Sequence, residues 1–147
     1  MEIKEFKKFL NEYFRKHGFE KIKNKFYRNG NGFLCEIAVS RSCYGEFYYF
    51  DFHFFIGIFE KPYIIDKNSM QTYTPCVYSR FIFNNVQPSL CYYLNYDEEQ
   101  LSNILDENMN KVIYPPFEVG KKFLLENFET LYFTILDGEK IKNLLSE

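Results

Sequence analysis

The sequence predicts an α+β domain: a curved, mainly antiparallel sheet of four to six strands, an N-terminal helix packed on one face, and two or three helices in the C-terminal half. Three observations carry this reading. Apolar side chains recur at helical spacing near the N-terminus, short aromatic and β-branched runs separated by turn residues fill the middle, and helical spacing returns after Asp97. A chain of 147 residues is the size of one domain, 1–147, with a single core.

Ile3, Phe6, Leu10, Tyr13 and Phe14 recur at steps of three and four, so residues 2 to 17 are expected to form an amphipathic helix. Gly18 suits a left-handed cap, and Phe19 can fold back on the last turn. A lysine-rich connector follows. "KFYR" (25 to 28) and "FLCEIAVS" (33 to 40) flank "NGNG", whose Asn-Gly pairs supply the positive φ angles of a tight hairpin. Alternation then sorts the second of these strands into one face with Phe33, Cys35, Ile37 and Val39 and another with Leu34, Glu36, Ala38 and Ser40.

Beyond "RSCYGE", residues 47 to 59 read as one long strand. Its even positions, Tyr48 through Ile58, are all apolar and should meet the first helix. Its odd positions, Phe47, Tyr49, Asp51, His53, Phe55, Gly57 and Phe59, mix rings with charge. Thirteen residues exceed the usual strand length, which places a bend near Gly57. Residues 60 to 72 read as a connection, with a short extended piece at "YII". A further strand falls within "CVYSRFIFN" (76 to 84), and "CYYLNY" (91 to 96) follows the turn residues before it. Asp97 looks like the N-cap of a second helix with Glu98 and Glu99 in its first turn. That helix is expected to stop before Pro115 and Pro116. "FEVGKKFLLENF" (117 to 128) reads as a third helix across Gly120, residues 130 to 136 fit strand or helix, and a short helix starts at 138.

Composition narrows the function classes. Aromatics form 21% of the chain, 18 Phe and 13 Tyr with no Trp, so core and recognition surface alike must be built from rings. Cys35, Cys43, Cys76 and Cys91 match neither a CxxC redox pair nor the spacing of a zinc site, and read as reduced thiols. The N-terminus lacks the apolar region of a signal peptide, and no apolar run approaches the roughly 20 residues that span a bilayer. These readings favour a cytoplasmic protein without a membrane anchor. The net charge of −2 is unevenly spread: residues 1 to 28 hold nine Lys or Arg against four Glu, and the remainder nine against sixteen acidic residues. This reads first as a solvated helix face that partly neutralises the acidic remainder, and only secondly as a basic patch for an acidic partner or nucleic acid.

Residues two apart on a strand share a face about 6.5 to 7 Å apart, so Asp51 and His53 can share a bond or a water. Two functions follow from that. The favoured one is a non-catalytic binding module for a protein or small-molecule partner, using Tyr49, Asp51, His53 and Phe55 edged by Arg28, Arg41, Ser42 and Arg80. Guanidinium suits carboxylate or phosphate recognition and stacking on rings. The alternative is a small hydrolase-like enzyme with a His53/Asp51 acid-base pair and Ser40, Ser42 or Cys43 as nucleophile. Cross-strand partners such as Arg28, Glu36 or Arg80 could instead simply satisfy the two polar groups. No cofactor is implied, because "NGNG" lies between strands rather than before a helix. Two distant histidines make a poor start for a metal site. The pI near 5.8 and the acidic second half argue against nucleic acid, although exposed aromatic strands can stack bases. The same aromatic face suits a homodimer.

An N-terminal helix ending in "HGF", then "KFYRNGNGF", "IAVSRS", "FYYFDFHFFIG", "YSRFIF" and "YPPFE", resembles the small bacterial family catalogued as domain-of-unknown-function family 4304. The resemblance spreads over most of the chain. Arg41 and Ser42 fit the family's pattern, Ser40 departs from it, and Tyr27 or Tyr92 stands where relatives carry tryptophan. Membership implies an uncharacterised cytoplasmic protein and brings no catalytic assignment with it.

Overall fold

The structure, a computed structural model, describes residues 1–61, 63, 76–83, 87–131, 133–134 and 138–147. Helix α1 (Ile3–Lys16) buries Phe6, Leu10, Tyr13 and Phe14 on one stripe. Its end is a Schellman cap. The Gly18 N–H donates to the Arg15 carbonyl (3.1 Å) and the Phe19 N–H to the Phe14 carbonyl (2.9 Å), while the Phe14 and Phe19 rings meet with centroids 5.8 Å apart. Arg15 and Lys16 in the last turn complement the helix dipole.

Five strands follow in sequence order as an open antiparallel meander: β1 (Glu20–Ile22), β2 (Lys25–Gly30), β3 (Phe33–Arg41), β4 (Tyr48–Ile56) and β5 (Cys76–Arg80). A two-residue strand, β6 (Phe133–Thr134), pairs with β5. The β2–β3 hairpin turns through Asn31 (φ 49°) and Gly32 (φ 86°), the two positive φ values of a type I′ turn. Strand β1 lies where a connector was expected; three residues in a charged stretch leave no alternation to read. The expected strand 47 to 59 stops at Ile56. Gly57 leaves the ladder at φ 148°, so Ile58 is 92% exposed instead of joining the even face. The "YII" piece lies mostly outside the described residues.

The inner face of β4 carries Phe50, Phe52 and Phe54, all fully buried. Phe50 meets Phe6 and Phe14 of α1 at 6.4 and 6.5 Å, and Phe81 and Phe83 beyond β5 at 5.8 and 5.2 Å. The first helix therefore sits on the even face, as the alternation requires. A smaller cluster, Tyr27, Leu34, Phe55 and Cys76, lies on the opposite face under Ile22, Phe59 and Tyr63.

"CYYLNY" forms one bridge, Cys91 to Tyr48, and then a 3-10 turn at Tyr93–Asn95. Helix α2 (Glu98–Asn108) starts at Asp97 with a full capping box: the Asp97 carboxylate accepts from the Gln100 N–H, and the Gln100 side chain accepts from the Asp97 N–H. Asn108 is buried and ties α2 to the segment after β5. Its amide donates to the Ile82 carbonyl (2.9 Å) and its oxygen accepts from the Ile82 N–H (2.8 Å).

The helix does not end before the prolines. A π turn over Met109–Ile113 lets the Tyr114 N–H donate to the Met109 carbonyl, and α3 (Tyr114–Val119) follows with proline at its first positions. Proline lacks an N–H, and the first helical positions are where none is needed. Burial of Met109, Val112 and Ile113 holds the widened turn on the core.

Gly120 splits the expected third helix into α3 and α4 (Lys121–Glu126), followed by α5 (Phe128–Leu131) and α6 (Gly138–Ser146). At φ 92°, ψ −158° Gly120 adopts a backbone that side chains rarely tolerate. The Asn31 amide at the tip of the β2–β3 hairpin donates to the Phe117 carbonyl (3.0 Å), capping α3 beside it. In a Gly120→Ala variant the added carbon would lie 3.3 Å from Asn31 Nδ2. We expect a loss of about 1–3 kcal/mol in urea denaturation; an unchanged midpoint would contradict the described turn.

Candidate functional site on the outer face of the sheet

Pairing registers place three rows across the outer face. Tyr27, Glu36, His53 and Tyr78 stand opposite one another on β2 to β5; Lys25, Ala38, Asp51 and Arg80 form the next row, and Asn29, Leu34, Phe55 and Cys76 the third. The third row is dry, with Leu34, Phe55 and Cys76 buried. The second is open, and Arg80 is exposed. The middle row grades between them.

Glu36 is the hub of that row. It is only 4% exposed, and the Tyr27 hydroxyl donates to its Oε2 at 2.8 Å. Lys25 Nζ lies 3.4 Å from Oε1 and His53 Nδ1 3.7 Å from the same oxygen. A carboxylate in such a place needs these partners, because burying an unpaired charge is costly. Burial, reinforced by the adjacent Glu36 charge, pushes the Tyr27 phenol well above its ordinary value, so it stays a donor.

His53 stacks flat on Phe55 (5.6 Å between centroids, 5° between planes) and on Tyr78 (5.2 Å, 16°). Its Nδ1 is buried with no hydrogen-bond partner among the described residues. Desolvation lowers its pKa from 6.5, with Glu36 and Asp51 pulling the other way and Lys25 adding to the drop. His53 is therefore neutral at pH 7. Asp51 does not pair with it. The Asp51 carboxylate accepts from Arg80 Nε at 2.6 Å, and the Arg80 guanidinium lies 4.4 Å above the Tyr49 ring.

The remaining candidates stand apart. Arg28 is on the inner side, where its guanidinium lies 4.6 Å from the Phe117 ring and donates to the His17 carbonyl (3.4 Å). Arg41 ends β3 and is exposed. Ser42 is buried in the β3–β4 turn, and its Oγ accepts from the Tyr44 N–H. Six residues separate Ser42 from Glu36, the cross-strand partner of His53, so at roughly 3.3 Å per residue the hydroxyl is about 20 Å from the imidazole. Cys43 is farther still, and Ser40, four residues from Glu36, lies about 13 Å away, beyond hydrogen-bond reach. Cys76, next to the row on β5, has its thiol pushed up to about 12 by burial and by Glu36, and stays protonated. Among the described residues the face thus offers an imidazole without an activated nucleophile beside it.

Sequence reading placed Glu36 only among the polar partners and missed Tyr27, Lys25 and Tyr78 as its neighbours. It also missed a second polar cluster, where α1, α2 and α3 meet. There the Tyr13 hydroxyl donates to Asp106 at 2.7 Å, His17 Nδ1 bonds the Tyr114 hydroxyl, and His17 Nε2 lies 3.8 Å from Asp106. The N-terminal turn of α2 gives no hint of it, because these residues come together only through the π turn. These contacts tie the three helices together.

Among the described residues no group of three His, Cys, Asp or Glu could hold a metal ion, and no helix is long and apolar enough to cross a membrane. No curated protein and no solved structure matches the chain. One family model does, "Domain of unknown function (DUF4304)", over residues 10–119. That span begins within α1, includes every residue of the outer-face rows, and ends with α3 at Val119. Covering more than half of the sequence, the match shows that the chain belongs to the DUF4304 family of domains of unknown function.

Proposed function

We propose that this domain is a non-catalytic binding module that takes a protein or small-molecule partner on the open end of its outer sheet face. The supporting observation is the Tyr49–Arg80–Asp51 assembly. A partly exposed ion pair contributes only about 0–1 kcal/mol to stability, so the arrangement matters more for position than for strength. It holds a guanidinium over a ring and engages its Nε, while a guanidinium carries further N–H donors that a ligand can use. His53 and Phe55 continue the surface toward the dry row. A cytoplasmic setting agrees with the free cysteines, three of them buried. Self-association through this face as a homodimer is the competing use of the same surface.

The test compares wild type with a Tyr49→Ala/Arg80→Ala variant. Both side chains reach solvent, so the variant should keep its thermal midpoint within a few degrees. A partner captured from the native lysate by wild type should be lost, or the dimer should dissociate in analytical ultracentrifugation. Identical partners and identical oligomeric state at equal stability would remove this surface from consideration.

A further inference from the structure

On the other side of the sheet, a groove runs between α1 and the edge strand β1, above the buried rings of Phe19 and Phe26. Two adjoining clefts lie there, of about 370 and 350 Å³, sharing Asn11, Lys21 and Phe26. Lys7, Lys8 and Arg15 stand along the helix wall, Lys21 on the strand wall, and Phe19 and Phe26 make the floor. All four cations are exposed, and among the described residues none has a carboxylate within 4.0 Å. Glu12 is the single acidic residue on the walls. Lys7 to Arg15 spans about 12 Å of helix at roughly 1.5 Å per residue, the reach of about four extended residues.

The strand wall adds a second feature. Among the described residues β1 pairs with β2 alone. Ile22 and Lys25 close a two-residue hairpin, so the backbone groups of Lys21 point away from β2, where another strand can extend the ladder. A strand laid on this edge would send alternate side chains into the cleft between Phe19 and Phe26.

We propose that the α1–β1 groove binds an extended acidic peptide, which adds to the β1 edge, places an apolar side chain over Phe26, and sets its carboxylates against Lys8, Arg15 and Lys21. Charge complementarity selects this occupant. The groove walls carry Lys7, Lys8, Arg15 and Lys21 against Glu12, a local positive excess within a chain whose net charge is −2. The bare edge prefers a strand to a helix or a nucleic acid, because its unmet groups are peptide donors and acceptors spaced for another backbone.

Fluorescence anisotropy with a fluorescein-labelled peptide alternating glutamate and phenylalanine tests the proposal on the full chain. Wild type should bind it with an affinity that falls at least tenfold from low to 0.5 M salt, and Lys8→Glu/Lys21→Glu should weaken binding at least tenfold at equal far-UV circular dichroism. Arg15→Glu serves the same purpose should the double variant misfold. On binding, the Lys21 amide should become protected from hydrogen exchange. An absence of peptide binding, equal binding by the charge-reversed variants, or tighter binding of single-stranded oligothymidine or of a second copy of the chain would each overturn it.

Discussion

Replacing Phe50 by alanine should destabilise the domain by about 3–5 kcal/mol, the range for removing a fully buried aromatic ring from a core. Phe50 is 0% exposed and sits where three parts of the chain meet: α1 through Phe6 and Phe14, its own strand, and the segment after β5 through Phe81 and Phe83. Packed neighbours from these parts limit collapse into the void. The expected result in urea denaturation is a lower midpoint at an unchanged slope. Phe55→Ala on the outer face should cost less, because its cluster is smaller and lies under a thinner cover.

The second large effect concerns Glu36. Its carboxylate accepts from the Tyr27 hydroxyl and faces Lys25 and His53. Hydrogen bonds to a charged group are worth about 1.5–3 kcal/mol, and removing one partner strands the other. Glu36→Gln should therefore cost about 1–2 kcal/mol, since the amide still accepts from Tyr27, and Glu36→Ala about 2–4. Lys25 is 40% exposed and can turn to water, which keeps the loss below that of a closed ion pair. A double-mutant cycle with Tyr27→Phe isolates the direct bond. A coupling energy above about 1 kcal/mol is expected; additivity within about 0.3 kcal/mol would mean the two side chains do not interact.

Much of this architecture was legible because local rules agreed with each other. The helix stripe with Gly18 and Phe19 gave α1 and its cap, Asn31-Gly32 gave the hairpin, and alternation from Tyr48 gave the two faces of β4. The hairpin carries even more than that. A two-residue turn at Asn31-Gly32 sets Gly30 opposite Phe33 and so Tyr27 opposite Glu36, a pairing that follows from turn length alone. The meeting of Glu36 with His53 depends instead on the longer 42–47 turn, whose geometry no local rule fixes. That is why Asp51 and His53 looked like partners from alternation, whereas each is claimed by a neighbour across the ladder.

Two of the errors were of one kind. Pro115 was read by its usual effect on an isolated helix, Gly120 was bridged because the helical spacing ran through it, and tertiary packing reversed both outcomes. Buried Met109, Val112 and Ile113 hold a π turn that carries the chain past the prolines. The cap from Asn31 fixes a break at Gly120 that helical spacing would have bridged. Ile58 failed for a different reason, because alternation is informative only while the ladder continues, and Gly57 ends it.

Whether His53 pairs with Asp51 is the point on which the binding reading and the acid-base reading diverge, since a neutral imidazole alone suits a general base as well. Desolvation lowers its pKa from 6.5 while Glu36 and Asp51 oppose that drop. His17 is lowered too, again chiefly by burial. An unfolded histidine takes its proton near 6.5, and the folded rings resist it, so the unfolded chain binds more protons in between. Both residues thus make the fold lose stability as pH falls below about 6.5, until the lowered folded values are passed.

The most direct measurement is an NMR titration of the His53 imidazole, assigned against a His53→Gln variant. The account predicts a midpoint below 6.5, a neutral ring at pH 7, and ring contacts to Phe55 and Tyr78. A midpoint at or above 6.5, with His53 charged and bound to Asp51, would contradict it.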